Sequence, residues 1–264
     1  KMIVEDKKMS FPPFEMMKAA TAAEGNIWAH YRENRDKWFP EDLLEKHGPD
    51  VKSKAIYFAG CTASYVENDI AMASLRMLDE AGVDFSYLGK KENCCAIPML
   101  VSGNWAQFEA TMRENIQNVK DAGADTVISS CPACNLMWSE GYPKWAEKLG
   151  IDFDIKGKHY SEMVAERIES GEFKFPENDN KPIKVTMHDS CHLGRASGIY
   201  EEPRTLINAI PNVELVEMQH NRDTAFCCGS VLSLVKNPDT AVGLGELKLI
   251  EAKEVEAEKM LALC

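Results

Sequence analysis

The sequence predicts an α/β protein made of two tandem, duplicated parallel-sheet halves behind a helical N-terminal segment. Three observations carry that prediction. From Ala55 onward short apolar strands alternate with amphipathic helices, an order that builds parallel sheets with right-handed crossovers. The order then recurs in the second half of the chain, and the cysteines recur with it. The steps are 33 residues from Cys61 to Cys94 and 36 from Cys95 to Cys131, against 36 from Cys191 to Cys227 and 36 from Cys228 to Cys264. Equivalent cysteines are offset by 130 residues for the single ones and 133 for the others, the mark of an internal duplication.

Residues 1–50 are rich in helix formers and aromatics, with Trp28 and Trp38 near Gly25-Asn26 and a stop at Phe39-Pro40. They are expected to form a helical lead-in packed on the first domain, which is also compatible with a linker from an upstream domain. Ala55-Ile-Tyr-Phe58 reads as a strand leading to Gly60-Cys61. Ser64 and Glu67 have capping-box spacing, and Ile70, Leu75 and Leu78 give a helical face ending near Gly82. Val83–Leu88 reads as the strand that delivers Cys94 and Cys95. Trp105, Phe108, Met112, Ile116 and Val119 fall three or four apart on the next helix. Thr126–Ser129 is a strand that feeds Cys131-Pro-Ala-Cys134 at the start of another helix. Ile183–Met187, Val213–Met218 and Ala257–Leu263 are the corresponding strands of the second half, ahead of Cys191, Cys227-Cys228 and Cys264. Residues 51–172 and 183–264 are thus the expected domains, joined by a linker whose Pro176–Pro182 stretch carries turn residues and charge with no apolar period. Met99, Trp105 and Trp138 are expected in the core, and Gly243-x-Gly245 inside a helical stretch is not read as a nucleotide loop.

Composition narrows the function. Apolar residues at 45% and charged ones at 27% describe an ordinary globular protein, long enough at 264 residues for two domains. No apolar run approaches the ~20 residues of a membrane-spanning helix, and the N-terminus has no signal pattern. The expected location is the cytoplasm, either free or peripheral on the cytoplasmic face of a membrane complex. The 42 acidic against 30 basic residues give a net charge of −12, which repels phosphate backbones and excludes nucleic acid as a partner. Lys1 in place of an initiator methionine, and an apolar strand-like run stopping at Cys264, suggest a segment of a longer polypeptide.

Nine cysteines in a reducing compartment point to metal binding or redox chemistry rather than cross-links. Adjacent cysteines such as Cys94-Cys95 and Cys227-Cys228 are poor disulfide partners, because the ring they would close is strained. Parallel sheets collect ligands at the carboxyl ends of their strands, where each half sends a single cysteine, an adjacent pair and a Cys-x-x-Cys position. Structural zinc takes four thiolates, usually as two Cys-x-x-Cys knuckles, whereas the first set has five with one knuckle. An ordinary cubane cluster also takes four, so five including a vicinal pair favour an opened iron-sulfur arrangement. Zinc and simple burial of inert thiols are the competing readings.

The pattern Cys-x32-Cys-Cys-x35-Cys-x-x-Cys of Cys61, Cys94, Cys95, Cys131 and Cys134 resembles the cysteine-rich CCG domain found in the B-type and D-type components of heterodisulfide reductase. His188-Asp-Ser-Cys191-His192-Leu-Gly194-Arg195, Cys227-Cys228-Gly229 and Cys264 resemble a second copy. Lys158–Glu162, Gly25–Trp28 and Cys228–Leu232 further resemble the catalytic component, itself of the D type, of a membrane-bound complex of sulfur metabolism. Two departures stand out: the first pair is followed by Ala96 rather than glycine, and the second set ends at Cys264 without the last cysteine of Cys-x-x-Cys.

The resemblance implies an iron-sulfur oxidoreductase subunit that reduces a disulfide or trisulfide. Its cofactor would be a noncubane four-iron four-sulfur cluster in one or two copies. Cys61, Cys94, Cys95, Cys131 and Cys134 would hold one, and Cys191, Cys227, Cys228 and Cys264 would contribute to the other. The implied partners are the other subunits of a redox complex, a ferredoxin-like domain or subunit as electron donor, and a thiol or disulfide carrier protein or low-molecular-weight disulfide as substrate. His188 and His192 beside Cys191 could supply protons, or could simply hydrogen-bond backbone or sulfur. Arg195 could meet an anionic substrate group or pair with a carboxylate. Related domains also look like electron relays in lactate, glycolate or glycerol-3-phosphate oxidising complexes, and a zinc-stabilised scaffold is the non-enzymatic alternative.

Overall fold

The first sheet gathers strands β1 (Ala55–Phe58), β2 (Ser86–Tyr87), β3 (Thr126–Ser129) and β4 (Lys156–His159) in the order β2-β1-β3-β4, all parallel. It belongs to a computed structural model that describes residues 12–231 and 237–263 and divides into two packed units between Tyr160 and Ser161. The α/β class with two parallel sheets is the one expected. Strand β1 is buried along its whole length because both sheet faces are covered, which is why it reads as an unbroken apolar run. One face packs on the core of Ile56, Phe58, Met99, Phe108, Met112, Val127, Trp138 and Tyr142. On the other side Trp38 lies edge-on to Tyr87 with ring centroids 5.3 Å apart, and Phe39 stacks on Tyr87 at 5.5 Å. The aromatics of the lead-in therefore pack on the first unit.

Three details differ from the sequence expectation, each for a local reason. Ser64 does not cap a helix. It lies inside the short helix α3 (Gly60–Tyr65), which follows α1 (Pro12–Glu24) and α2 (Leu44–His47), and the chain breaks before α4 (Asn68–Glu80). The Asn68 side chain donates to the carbonyls of Ala63 and Ser64 at 3.0 and 2.9 Å, closing the break that a capping box would have closed. Ile70 accordingly faces out, while Ala71, Ser74, Leu75 and Leu78 form the buried face of α4. Strand β2 is shorter than Val83–Leu88 because the Val83 amide still bonds back to Leu78 across Gly82 (φ +69), a helix-ending turn that leaves only Ser86 and Tyr87 to pair.

Helix α5 spans Ile97–Val101, and α6 (Trp105–Asp121) buries Phe108, Met112, Ile116 and Val119 as its period predicts. Helix α7 (Pro132–Leu136) continues through a π-helical turn at Met137–Gly141 into α8 (Tyr142–Leu149). Strand β4, polar in sequence and on the sheet edge, had no apolar signal to find. Its Gly157 is required by close packing, since a Cβ there would stand 2.5 Å from the Ser139 nitrogen and 2.6 Å from the Trp138 carbonyl carbon.

The second unit holds β5 (Ile183–His188), β6 (Val213–Leu215) and β7 (Lys259–Ala262) in the parallel order β6-β5-β7. Helix α9 (Tyr160–Glu169) starts at the division, and α10 (Glu201–Ala209) and α11 (Pro238–Glu254) follow. Its core is smaller, built on Val185, Met187 and Ile207. Among the described residues no helix is long and apolar enough to cross a membrane.

Candidate metal centre

The carboxyl ends of β1, β2 and β3 converge, and each carries cysteine. Strand β1 runs through Ala59-Gly60 into Cys61, β2 passes a 3-10 turn at Gly89–Lys91 to reach Cys94-Cys95, and β3 leads to Cys131 and, one turn into α7, Cys134. Their sulfurs form one unbroken string. Cys61 Sγ lies 3.8 Å from Cys94 Sγ, Cys94 contacts Cys95, Cys95 contacts Cys134, and Cys134 contacts Cys131. Four of the five are buried and Cys131 is half-buried. Among the described residues no three His, Cys, Asp or Glu side chains close around a single metal ion.

Crowded thiols disturb one another's ionisation. Contact with Cys94, with burial added, pushes the Cys61 thiol well above its usual range, and Cys131, Cys95 and burial do the same to Cys134. Cys94 receives a bond from Cys61 yet is still raised by Cys95 and burial. Cys95 and Cys131 are drawn below the usual range, chiefly by the hydrogen bond each makes with Cys134. Without a positive centre the five cannot all ionise together. A bound cation or cation cluster removes that mutual suppression.

The surroundings fit such a centre. Backbone amides lie beside the sulfurs: Ala96 donates to Cys94 (3.4 Å), Ile27 is close to Cys61, Ile97 to Cys95, and Ala133 and Cys134 to Cys131. Amide donors of this kind stabilise thiolate charge. Gly60 (φ +78) leaves room, since a Cβ there would stand 3.1 Å from Cys134 Sγ. The fully buried side-chain amides of Asn93 and Asn135, next to Cys94 and Cys134, have no hydrogen-bond partner among the described residues. Unspent donors beside the cysteines suit a group that brings its own acceptors. Gly60→Ala is expected to destabilise the first unit by about 1–2 kcal/mol through the left-handed backbone alone, read as a lowered urea midpoint.

Polar side chains lock this arrangement from behind. Asn115 donates to the Cys94 carbonyl at 2.8 Å and to Tyr142 Oη at 2.9 Å, and Tyr142 donates to the Cys95 carbonyl at 3.1 Å. Glu92 accepts from the amides of Ala59 (2.9 Å) and Gly60 (3.0 Å) and from Arg35 (2.6 Å). Burial pushes the Glu92 carboxyl up to about 7 against the pull of Arg35. Sequence reasoning missed all four residues. Asn115 was detectable as a polar residue on the apolar face of α6, between Met112 and Ile116.

The second cysteine set is placed in part. Cys191 is half-buried after β5, Cys227 is exposed, Cys228 is half-buried, and Cys264 lies outside the described residues. The pair nevertheless adopts the turn of the first copy. Gly229 has φ +79 and its amide stands 3.4 Å from Cys227 Sγ, while Ala96 has φ +60 and its amide stands 3.4 Å from Cys94 Sγ. The left-handed conformation explains glycine at this position, and Ala96 takes it at a steric cost. Against burial, which raises it, hydrogen bonds from Ser230 hold the Cys228 thiol below its usual range.

His188 is buried, with Nδ1 lacking a partner among the described residues, and burial aided by the Lys248 cation lowers its pKa. His192 is half-buried and also lowered by burial, so both imidazoles are neutral near pH 7. Among the described residues Arg195 pairs with no carboxylate. It donates to the carbonyls of Asp223 (3.0 Å) and Ala225 (2.7 Å), clamping the loop that enters Cys227. The carboxylate after β5, Asp189, pairs instead with Arg204 through bonds of 2.9 and 2.8 Å.

The model of the CCG cysteine-rich domain matches residues 55–139 and 185–264, one match for each sheet. The D-type component of the dihydromethanophenazine:CoB–CoM heterodisulfide reductase of Methanosarcina mazei is 31% identical over 243 residues, covering 90% of this chain and 57% of that protein. The B-type component of the fumarate reductase (CoM/CoB) of Methanothermobacter marburgensis is 32% identical over 223 residues, 84% of this chain and 42% of the relative. The EtfAB:quinone oxidoreductase of Syntrophomonas wolfei is 29% identical over 231 residues, 83% of this chain and 30% of the relative. The chain thus spans little more than half the length of these relatives, or less.

Proposed function

The chain belongs to the CCG cysteine-rich domain family, and from that membership we propose that it is an iron-sulfur oxidoreductase subunit that reduces a disulfide or trisulfide substrate. The observation that carries the reading is the string of five sulfurs at the ends of β1, β2 and β3. Cys61, Cys94, Cys95, Cys131 and Cys134 hold a noncubane four-iron four-sulfur cluster, because five thiolates including an adjacent pair exceed what a cubane or a zinc knuckle takes. Cys191, Cys227, Cys228 and Cys264 contribute to a second. Bound there, such a cluster supplies electrons one at a time and an iron site able to hold a substrate sulfur.

The protein's own groups do the rest. The amides of Ile27, Ala96, Ile97, Ala133 and Cys134 spread thiolate charge in a pocket from which the Phe58–Trp138–Tyr142 aromatics exclude water. Splitting a disulfide leaves a thiolate that must be protonated, and His188 and His192, which flank Cys191 in sequence, are the proposed proton carriers. Being neutral at pH 7, each must take up a proton before handing it on. Electrons come from a ferredoxin-like domain or subunit within a larger redox complex at the cytoplasmic face of a membrane. The substrate is a carrier protein's disulfide or a low-molecular-weight one.

A second reading, an electron relay for a flavin-bearing partner, is favoured by the burial of Cys94, Cys95 and Cys134, which keeps bulky substrate from those three sulfurs. The two are separated by supplying anaerobically purified protein with reduced viologen and a disulfide or trisulfide. Turnover is expected; an intact cluster that is reduced and reoxidised with no thiol product would establish the relay.

A further inference from the structure

Among the described residues Arg35 is the largest fully buried charged side chain, and it comes from the lead-in ahead of the first family match. Its guanidinium makes two bonds that converge on the metal centre. One goes to Glu92 Oε1 at 2.6 Å, the other to the Gly25 carbonyl at 3.0 Å. Each partner is tied to a cysteine loop in turn. Glu92 accepts from Ala59 and Gly60, just before Cys61, and the Gly25 carbonyl accepts from the Cys94 amide at 2.6 Å. Two residues beyond Gly25, the Ile27 amide lies beside the Cys61 sulfur, and Trp28 Nε1 donates to Thr62 Oγ1 at 3.2 Å. Gly25 is left-handed (φ +67) and packed so closely that a Cβ would run into the Asn93 side chain. The loop is therefore held in one place from both ends, at the cost of burying an ion pair. Such burial is rarely favourable for stability alone, which directs attention to what the pair positions.

We propose that Arg35 is a positioning residue of the first cluster: paired with Glu92, it fastens the Gly25–Trp28 loop over Cys61 and Cys94, keeping the Ile27 amide on the Cys61 sulfur and water out. The inference rests on the cluster reading above and names the part of that site that lies outside the family-matched residues. A Met at position 35 keeps the length of the side chain and loses both bonds. A Lys keeps the charge beside Glu92 but cannot reach Glu92 and Gly25 together. Gly25→Ala displaces the loop without touching the ion pair.

The test measures the rate at which a ferrous chelator, bathophenanthroline disulfonate, strips iron from the anaerobically purified full chain, together with its resonance Raman bands. Arg35→Met and Gly25→Ala are each expected to lose iron at least tenfold faster than the parent, with Arg35→Lys between. The iron–cysteine stretches should shift to higher frequency as Cys61 loses an amide donor, since such hydrogen bonds draw charge from the thiolate. The exposed pair Arg76–Asp42 supplies the control, and Arg76→Met should match the parent in both readouts. Parent-like rates and bands in Arg35→Met would overturn the proposal and leave the cluster reading standing. If Arg35→Met does not fold, parent-like behaviour of both Arg35→Lys and Gly25→Ala overturns it equally. A parent chain that purifies without cluster iron takes down both.

Discussion

Cys94→Ser is expected to empty the first metal site while leaving the sheet intact. Cys94 sits in the string between Cys61, 3.8 Å away, and its neighbour Cys95, so its loss divides the sulfurs into one isolated thiol and the Cys95–Cys134–Cys131 remainder. A serine hydroxyl is a poor iron ligand and does not ionise near neutral pH. The main-chain bonds of this residue persist, because Asn115 holds its carbonyl and Gly25 its amide. The fold cost is then that of one buried hydroxyl short of partners, about 1–3 kcal/mol. Iron and acid-labile sulfide should fall by the whole share of the first site, with a far-UV spectrum like the parent's. Unchanged iron would remove Cys94 from the ligand set.

Arg204→Met should produce the largest loss of stability in the second unit. Arg204 and Asp189 are joined by two bonds with side chains only 4% and 3% exposed, and Glu217 accepts from the same guanidinium at 2.6 Å. Removing the cation leaves Asp189 buried without its partner, which costs about 3–5 kcal/mol. The effect has a sign in pH. In the parent, burial raises the Asp189 pKa, but the bonds from Arg204 and the Arg222 amide outweigh it and hold the group below the usual carboxylate range. A depressed carboxylate contributes stability above its unfolded pKa of about 3.9, and the contribution is lost as pH falls through the folded value. Without Arg204 only the Arg222 amide and charge oppose burial, so the folded pKa moves up from its depressed value and that stabilising contribution shrinks. The difference between variant and parent should therefore be large at pH 7.5 and shrink only below about pH 4, as read from urea unfolding at pH 7.5 and at about pH 2.5. A difference below about 1 kcal/mol at pH 7.5, or one independent of pH, would contradict this account of the pair.

The strands that were legible in sequence are those whose burial imposed a pattern. Ala55–Phe58 and Thr126–Ser129 lie between two covered faces and had to be apolar, and α6 had to repeat its core residues every three or four positions. Strand β4 was illegible because an edge strand of Lys156-Gly-Lys-His159 has no such pattern to show. The cysteines were legible because a duplicated spacing survives in one dimension. The groups that aim them were not: Arg35 and Glu92 are 57 residues apart, and a charged residue in sequence gives no sign of being buried. Ala96 departs from the glycine of the second copy in sequence, yet it adopts the same left-handed turn. The departure lies in the side chain, and the backbone geometry is shared.

The most direct test of the account is a Mössbauer spectrum of the anaerobically purified, iron-57-enriched protein, taken alongside its zinc content. Five thiolates gathered from three strand ends predict iron–sulfur signals outside the pattern of a four-cysteine cubane, with the first site's share of them lost from the Cys94→Ser variant. A spectrum without cluster iron, together with one zinc per first-unit site, would contradict it.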